Sequence, residues 1–324
     1  MADQVKNGKA FEYAIARIYF ETIKNKGLQV SLTEDDAYNT AKKFFEESTE
    51  NQQNRHLLSA KATLDTMFKI EPGLTAQKDK NDILNIRIAK DKEGQDGDVR
   101  DIIFSREKQH WEIGFSAKNN NYSQKHSRLS STNDFGASWF DIECSKEYWN
   151  EIKPIFEFVK KYKDEGKSWK LMGKDKETKV YIPLLNAFKK EVLNTNKNNP
   201  DIPQKLISYI IGVYPFYQII KEDSKNLVVI KAFNINDNLN KTVNNIKSRY
   251  KVPKLEPPTR IVEFDFAHKQ SGQMVDTMNM ILDGGWEISF RIHSADDPIV
   301  LSLKFDVKLL GNPPILFSQY LFQD

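Results

Sequence analysis

The sequence has a single cysteine, Cys144, among its 324 residues. One thiol cannot form an intrachain disulfide, and it excludes zinc sites built from several cysteines. No apolar run approaches the length of about 20 residues that a membrane-spanning helix needs. The first residues, MADQVKNGKAFEYA, also lack the apolar segment of a secretory signal. We therefore expect a cytoplasmic protein that has no membrane partner.

A strong excess of one charge is also missing. Lysine and arginine together number 48 and the acidic residues 45, which gives a net charge of +3. This balance permits a polyanionic partner only where the basic residues are clustered. The tripeptide GKS at 166–168 lacks the earlier glycine of a phosphate-binding P-loop, so no nucleotide cofactor is expected. The histidines at 56, 110, 126, 268 and 293 show no metal-ligand spacing.

The first 75 residues or so are predicted to be mostly helical. The segment GKAFEYAIARIYFETIK at 8–24 has apolar residues at helical spacing. Thr33, with Asp36 three residues later, predicts the start of a second helix. A third, LLSAKATLDTMFKIEPGL, is predicted to end at Pro72 and Gly73.

Strand patterns begin at residues 84–90 and continue through a hairpin at 99–118. Two further helices are predicted from SKEYWNEIKPIFEFVKKYKDEG and YIPLLNAFKKEVLNTN. The polar segment NTNKNNPDIP at 194–203 reads as a linker. From LISYIIGVYPFYQII onwards, β-branched and aromatic residues dominate, which predicts a β-rich last third.

The hairpin GDVRDIIFSREKQHWEIGFSAK carries a group of polar residues with possible chemistry. Strand alternation places Ile113, Phe115 and Ala117 on a buried face. The other face then carries Glu112, Gly114, Ser116 and Lys118. The turn places Asp101 opposite Ser116, and Asp98 can approach the same patch from the strand end.

Carboxylates of this kind suit Mg²⁺, which keeps several waters and needs only one or two protein oxygens. A nearby lysine can orient an attacking water and neutralise phosphate charge. An ordinary hairpin with solvated charges fits the same pattern. The small Gly114, which leaves room for a ligand, favours a phosphodiester site. So does the basic loop that follows, with Lys125, His126 and Arg128.

The hairpin resembles the core of PD-(D/E)XK nucleases, with an acid before one strand and an acid-x-lysine element on the next. The motifs GDVRDII, WEIGFSAKNNN, KHSRLS with DFG, and GGWEISFRIHSA with SLKFDVKLLGNPP resemble HaeIII-type type II restriction endonucleases. They span about residues 8 to 314. The resemblance implies an α/β fold with a mixed sheet flanked by helices and a β-rich C-terminal part. With the linker at 194–203 as the boundary, we expect a nuclease core at 1–195 and a DNA-recognition region at 204–324.

The resemblance further implies Mg²⁺-dependent cleavage of double-stranded DNA at GGCC, within a restriction-modification system. A palindromic target suggests a twofold homodimer. Asp101 and Asp98 are the expected metal ligands and Lys118 the residue that positions water. Arg291 and His293, which alternate with apolar residues in WEISFRIH, are either base-reading residues or an exposed sheet face.

One position departs from the nuclease pattern, because Ser116 stands where the acid usually lies. Glu112 is on the same strand face but about 13 Å away along an extended strand. Glu12 in the first helix is the other candidate for the missing acid. Two alternatives remain open: a DNA-binding protein that has lost catalysis, and a repair or recombination nuclease.

Overall fold

The chain folds into two units, each assembled from segments that are far apart in the sequence. Unit 1 contains residues 1–122, 212–255 and 315–324, and unit 2 contains residues 123–211 and 256–314. The computed structural model describes residues 2–90, 93, 97–120, 123–268, 270, 272–294 and 298–322; for residues 2 and 123–126 it describes the backbone alone. Within this described part, no helix is both long and apolar enough to cross a membrane.

Unit 1 begins with three helices and contains one sheet. Its helices are α1 (Ala2–Asn25), α2 (Asp36–Glu46) and α3 (Glu50–Ile70). Its strands are β1 (Val30–Leu32), β2 (Leu84–Ile88), β3 (Ile102–Arg106), β4 (Trp111–Asn119), β6 (Phe216–Glu222), β7 (Leu227–Phe233) and β12 (Ser318–Phe322). The seven-stranded sheet has the order β1-β2-β3-β4-β6-β7-β12. It is mixed, since β1 is parallel to β2 and β4 to β6, whereas its other neighbours are antiparallel.

Helix α1 packs on the middle of this sheet and forms its main core. The ring of Tyr19 lies 5.3 Å from that of Phe104 and 5.4 Å from that of Phe115, and the two phenylalanine rings are 4.6 Å apart. All three side chains are fully buried. The apolar face of β4 that the sequence predicts is therefore the face that α1 covers, and this contact places α1 beside the end of β4.

Unit 2 contains the remaining helices and a second sheet. The helices are α4 (Phe135–Phe140), α5 (Lys146–Asp164), α6 (Ile182–Asn198) and α7 (Ile202–Ile211). The strands are β5 (Ser123–Ser130), β8 (Ile261–Phe266), β9 (Thr277–Leu282), β10 (Glu287–His293) and β11 (Ser302–Gly311). They form an antiparallel sheet in the order β5-β11-β10-β9-β8.

Aromatic side chains join the helices of unit 2 to one face of its sheet. The ring of Phe188 on α6 lies 5.1 Å from that of Phe290 on β10 and 4.9 Å from that of Phe305 on β11. Trp139 on α4 stacks in parallel with both phenylalanines. As the strands alternate, the residues between these aromatics lie on the opposite face of the sheet.

The expected fold class is confirmed: the protein is α/β, with a mixed sheet flanked by helices and a strand-rich C-terminal part. Two local predictions were wrong. Residues 202–211 form a helix, because the apolar run there has a buried face at helical spacing, which alternation alone cannot distinguish from a strand. Helix α2 starts at Asp36 with Asp35 as its cap, since the Thr33 amide instead donates to the Ile86 carbonyl.

The division at 194–203 also differs from the arrangement of the units. This segment joins α6 to α7 inside unit 2, so the expected regions 1–195 and 204–324 do not coincide with the two units. The physical reason is strand pairing. Strand β6 from the second half of the chain hydrogen-bonds to β4 and completes the sheet of unit 1.

A fully buried arginine anchors the β3–β4 hairpin. Arg106, at the end of β3, donates from Nε to the Gly73 carbonyl at 2.6 Å and from Nη1 to the Asp82 carbonyl at 2.8 Å. The same Nη1 lies 3.4 Å from Asp82 Oδ1. Burial lowers the pKa of Arg106, and the Asp82 carboxylate opposes this effect. The hairpin thus depends on a charge that is buried but satisfied.

Replacement of Arg106 by methionine should strongly destabilise the protein. It leaves the Asp82 carboxylate and several carbonyls buried without their partner, a loss that costs about 3–5 kcal/mol. Chemical unfolding measures this cost. Lys108→Met, at a surface position of the same hairpin, is the control and should change stability by less than about 1 kcal/mol. Equal unfolding midpoints for the two variants would contradict the anchoring role of Arg106.

Candidate active site

Asp101 lies at the start of β3 and is bound to the neighbouring strand β4. Its Oδ2 accepts hydrogen bonds from the Ala117 amide at 2.7 Å and from Ser116 Oγ at 3.2 Å. The β3–β4 register pairs Ile102 with Phe115, so Asp101 falls opposite Ser116, as the hairpin pattern predicts. Ser116 therefore positions the carboxylate of Asp101 in place of supplying one itself.

Glu12 reaches the same place from α1. It follows the buried Phe11 and is itself only 6% exposed, with Lys9 Nζ 3.2 Å from its Oε2. The pKa of Glu12 is raised to about 7, first by burial and then by the negative charge of Asp101, whereas the charges of Lys9 and Lys118 oppose the rise. The two carboxylates are thus close enough for the charge of one to act on the other.

Lys118 completes this group. It lies two residues beyond Ser116 on β4, on the same strand face, and is half-buried. Its positive charge lowers the pKa of Glu12, so Lys118 lies near that carboxylate. The structure therefore brings together Glu12, Asp101 and Lys118, which come from a helix and from two adjacent strands.

The other two predicted acids belong to a separate cluster around Arg100. Asp98 binds Arg100 through both carboxylate oxygens, at 2.9 Å from Nε to Oδ1 and at 2.7 Å from Nη2 to Oδ2. Glu112 Oε1 accepts from Arg100 Nη1 at 2.7 Å. The guanidinium also lies over the ring of Tyr214, 4.4 Å from its centroid. Both acids thus neutralise one largely buried arginine.

Gly114 has a different role from the one predicted. A Cβ at this position would lie 2.1 Å from Arg100 Cδ. The missing side chain thus gives room to Arg100, and the space expected for a ligand above the strand is filled by this arginine. The correction follows from tertiary packing, since nothing in the strand pattern says which side chain covers a glycine.

The predicted DNA-contacting residues all belong to the sheet of unit 2. Lys125 and His126 lie in β5, opposite Val307 and Asp306 of β11, but their side chains are outside the described residues. Arg128 is exposed, and its Nη1 donates to the Ser302 carbonyl at 3.3 Å.

The two residues predicted from WEISFRIH lie on the face of this sheet that points away from the aromatic core. Arg291 is 3.0 Å from Asp276, and His293 Nε2 is 3.0 Å from Asp306. In the strand register, Arg128 and His293 both lie beside Lys304. Basic residues from three strands therefore line one face of the sheet, with acidic partners between them.

Other residues with possible chemistry are structural. Cys144 is buried. Burial raises the pKa of its thiol, and a hydrogen bond with Asp134 raises this pKa to a smaller extent. Such a thiol is not activated as a nucleophile. Trp139 and Trp286 are buried, as expected for core aromatics.

Comparisons with known proteins identify the family of this chain. The family model described as HaeIII restriction endonuclease matches residues 8–313. The type II restriction enzyme HaeIII of Haemophilus aegyptius is 36% identical over 308 residues, which cover 95% of this chain and 94% of the relative. This chain belongs to the HaeIII restriction endonuclease family. It is accordingly a type II site-specific deoxyribonuclease. No solved structure matches it significantly.

For a member of the HaeIII family, the Glu12–Asp101 pair is a suitable place for a divalent cation. The described residues contain no cluster of three or more histidine, cysteine or acidic side chains with metal-binding geometry. Mg²⁺ does not need one, because it usually binds one or two carboxylates and keeps several waters. Burial and the negative charge of Asp101 both raise the pKa of Glu12, and a bound cation would act in the opposite direction.

Two residues of the site were missed by sequence reasoning. Arg100 was not singled out, although its position between Asp98 and Glu112 decides what those acids do. Lys9 was also missed, although it pairs with Glu12 one helical turn away. The i,i+3 spacing of Lys9 and Glu12 was the one available signal.

The buried Glu12 should make the metal-free protein less stable as the pH rises. Its pKa is about 7 when folded and 4.5 ordinarily, so the destabilisation grows from about pH 4.5 and is complete above pH 7. Glu12→Gln removes it and should raise the free energy of unfolding by about 1–3 kcal/mol at pH 8, and much less at pH 5.

Chemical unfolding in EDTA at the two pH values measures this difference. Glu21→Gln, an exposed change on the same helix, serves as the control and should give no such pH-dependent gain. If Glu12→Gln raises the free energy of unfolding equally at pH 5 and pH 8, the ionised carboxylate of Glu12 does not destabilise the folded protein.

Proposed function

We propose that this restriction endonuclease hydrolyses double-stranded DNA at GGCC and depends on Mg²⁺. The observation that carries the proposal is the convergence of the buried Glu12 with the half-buried Asp101 and Lys118 on one polar site. Two carboxylates and one lysine are the groups that metal-assisted phosphodiester hydrolysis requires. Because its substrate is DNA, the cytoplasm remains the proposed location.

Glu12 and Asp101 would hold the Mg²⁺. When bound, the ion lowers the pKa of a coordinated water and stabilises negative charge on the phosphodiester. The ammonium group of Lys118 neutralises phosphate charge and orients the attacking water. The Ala117 amide and Ser116 Oγ keep the Asp101 carboxylate in place. Asp98 and Glu112 stabilise Arg100 and take no direct part.

This assignment bears on the alternative of a DNA-binding protein that has lost catalysis. That alternative rests on Ser116, which stands where the nuclease pattern has an acid. Glu12 supplies a second carboxylate beside Asp101, so the serine does not leave the site one acid short. The presence of Glu12 favours an active enzyme, and a repair nuclease would be distinguished by the DNA ends that it produces.

Recognition of the target is assigned to the sheet of unit 2. Guanines present O6 and N7 in the major groove, and arginine binds both at once. Lys125, His126, Arg128, Arg291 and His293 are the candidate DNA contacts. Because GGCC is a palindrome, we propose a twofold homodimer in which each subunit cuts one strand.

Catalysis should depend on Glu12 and Lys118 and not on Glu112. We expect Glu12→Gln and Lys118→Ala to lower the rate of plasmid cleavage by at least about 100-fold, since each removes a group that acts on the transition state. Duplex binding in EDTA should persist for both. Glu112→Gln is the matched control and should cleave at a rate within a few-fold of the unchanged enzyme.

The digest is run with Mg²⁺ and with EDTA. Cleavage that continues in EDTA would contradict the metal dependence. If Glu112→Gln is inactive and Glu12→Gln is active, the second catalytic acid is Glu112 and not Glu12.

The cut site should lie within GGCC. Sequencing the ends from a digest of DNA that contains every four-base palindrome tests this directly. Ends at another palindrome would leave the endonuclease proposal intact but reject the sequence specificity. Ends without a common sequence would favour the repair or recombination nuclease. For a base-reading arginine such as Arg291, replacement should cost about 1–3 kcal/mol in binding and relax the choice at one position.

A further inference from the structure

A polar cleft of about 470 Å³ lies in unit 1 at the end of β4 that carries Lys118. It is bordered by α1, by the start of α3 and by the ends of β4 and β6. The residues that matter for its chemistry are Asn7, Arg55, His56, Asn119, Lys221 and Asp223. None of them belongs to the catalytic group described above.

The cleft contains a buried cation. Lys221 is 2% exposed, and its Nζ lies 2.8 Å from Asp223 Oδ2 and 3.2 Å from Asn119 Oδ1. Burial lowers the pKa of Lys221, and Asp223 opposes this effect. Arg55 Nη1 is 3.9 Å from the same aspartate. Two positive charges therefore face one negative charge, which leaves the cleft with an excess of positive charge.

An unsatisfied histidine also lines the cleft. His56 is 1% exposed, and neither of its ring nitrogens has a hydrogen-bond partner. Burial, with the charge of Lys221, lowers the pKa of His56 to about 3, so the ring is neutral and has one N–H to donate. A buried donor without an acceptor costs about 1–3 kcal/mol, which an acceptor placed in the cleft would recover.

The first turn of α3 adds further donor character. Thr49, Asn51 and Gln52 line the cleft at the start of this 21-residue helix. The amino end of a helix carries a partial positive charge and favours anions. The side-chain amides of Asn7 and Asn119 also line the cleft and can donate.

Together these groups select an anion. A metal cation would be repelled by Lys221 and Arg55, and among the described residues that line the cleft His56 has the only ring on which a base could stack. A phosphate suits a site rich in N–H donors with a net positive charge. Asn119 directly follows Lys118 on β4, and His56 stacks on Phe11, the neighbour of Glu12, with the centroids 5.7 Å apart.

We propose that this cleft is a phosphate-binding subsite that holds a backbone phosphate of the DNA strand next to the one that is cleaved. The inference rests on the proposed function and extends it from the reacting phosphate to its neighbour. Held in this way, the strand is fixed in position relative to Lys118 by a contact that reads no base. Arg55 and His56 are then positioning residues for the substrate.

The test combines a protein change with a DNA change. Arg55 is half exposed, so Arg55→Gln should fold normally; Arg17→Gln, on α1 and outside the cleft, is the matched control. Binding in EDTA is measured with duplexes of the sequence that the enzyme cuts, each with one neutral methylphosphonate. For the unchanged protein, one position near the cut should weaken binding about tenfold.

For Arg55→Gln, a methylphosphonate at that position should weaken binding little further. For Arg17→Gln, it should weaken binding as much as it does for the unchanged protein. Arg55→Gln should also lower the salt dependence of binding by about one phosphate contact, equally for cognate and unrelated DNA. Arg55→Lys should restore part of the binding. Additive losses at every position, with an unchanged salt dependence, would overturn the proposal.

Inorganic phosphate distinguishes a DNA phosphate from a free anion. Titrated alone, it should bind to the unchanged protein and compete with the duplex. If it binds without displacing DNA, the cleft takes a free anion and the proposal is wrong. Failure of the subsite would leave cleavage by the unchanged enzyme intact. A protein that neither binds nor cuts duplex DNA would reject the proposed function and, with it, the subsite.

Discussion

The packing of α1 on β4 is the constraint on which the site depends. The contacts of Tyr19 with Phe104 and Phe115 fix the helix against the strand, and the same helix face carries Glu12. Glu12 is thereby buried next to Asp101, where its charge is opposed by burial and by the neighbouring carboxylate. Such a local conflict between charge and burial is expected where a protein holds groups ready for chemistry.

Buried arginines support this arrangement without taking part in it. Arg106 is bound by carbonyls and by Asp82, and Arg100 by Asp98 and Glu112, so each charge is satisfied where it is buried. A charge of this kind is costly to lose once its partners are buried with it. The hairpin therefore divides its acids between two tasks: Asp98 and Glu112 hold Arg100, and Asp101 faces Glu12.

The two faces of the unit 2 sheet carry different kinds of side chain. One face is filled by aromatic side chains such as Phe290 and Phe305, which pack against the helices. The other carries Arg128, Arg291 and His293, held by hydrogen bonds or carboxylate partners. Strand alternation alone separates the two faces. This is the face that we propose as the DNA contact, and its charged side chains are already oriented by their partners.

The sequence by itself determined the local structure of this protein and the pairing within its hairpin. Helical spacing predicted α1, and alternation with a short turn predicted β3 and β4 and set Asp101 opposite Ser116. These features depend on neighbours in the chain, so periodicity can reveal them. The motif resemblance added the family, which the comparisons confirm.

Only the tertiary structure decided which acids meet. Glu12 and Asp101 are 89 positions apart in the chain, and their approach depends on how α1 lies on the sheet. The strand pattern offers Asp98 and Glu112 as further acids, but both bind Arg100, which occupies the space above Gly114. The division into two units likewise follows from strand pairing. β6 pairs with β4, although residues 123–211 of unit 2 separate these two strands in the sequence. Contacts between residues so distant in sequence leave no periodic signal, because they are set by packing and not by spacing.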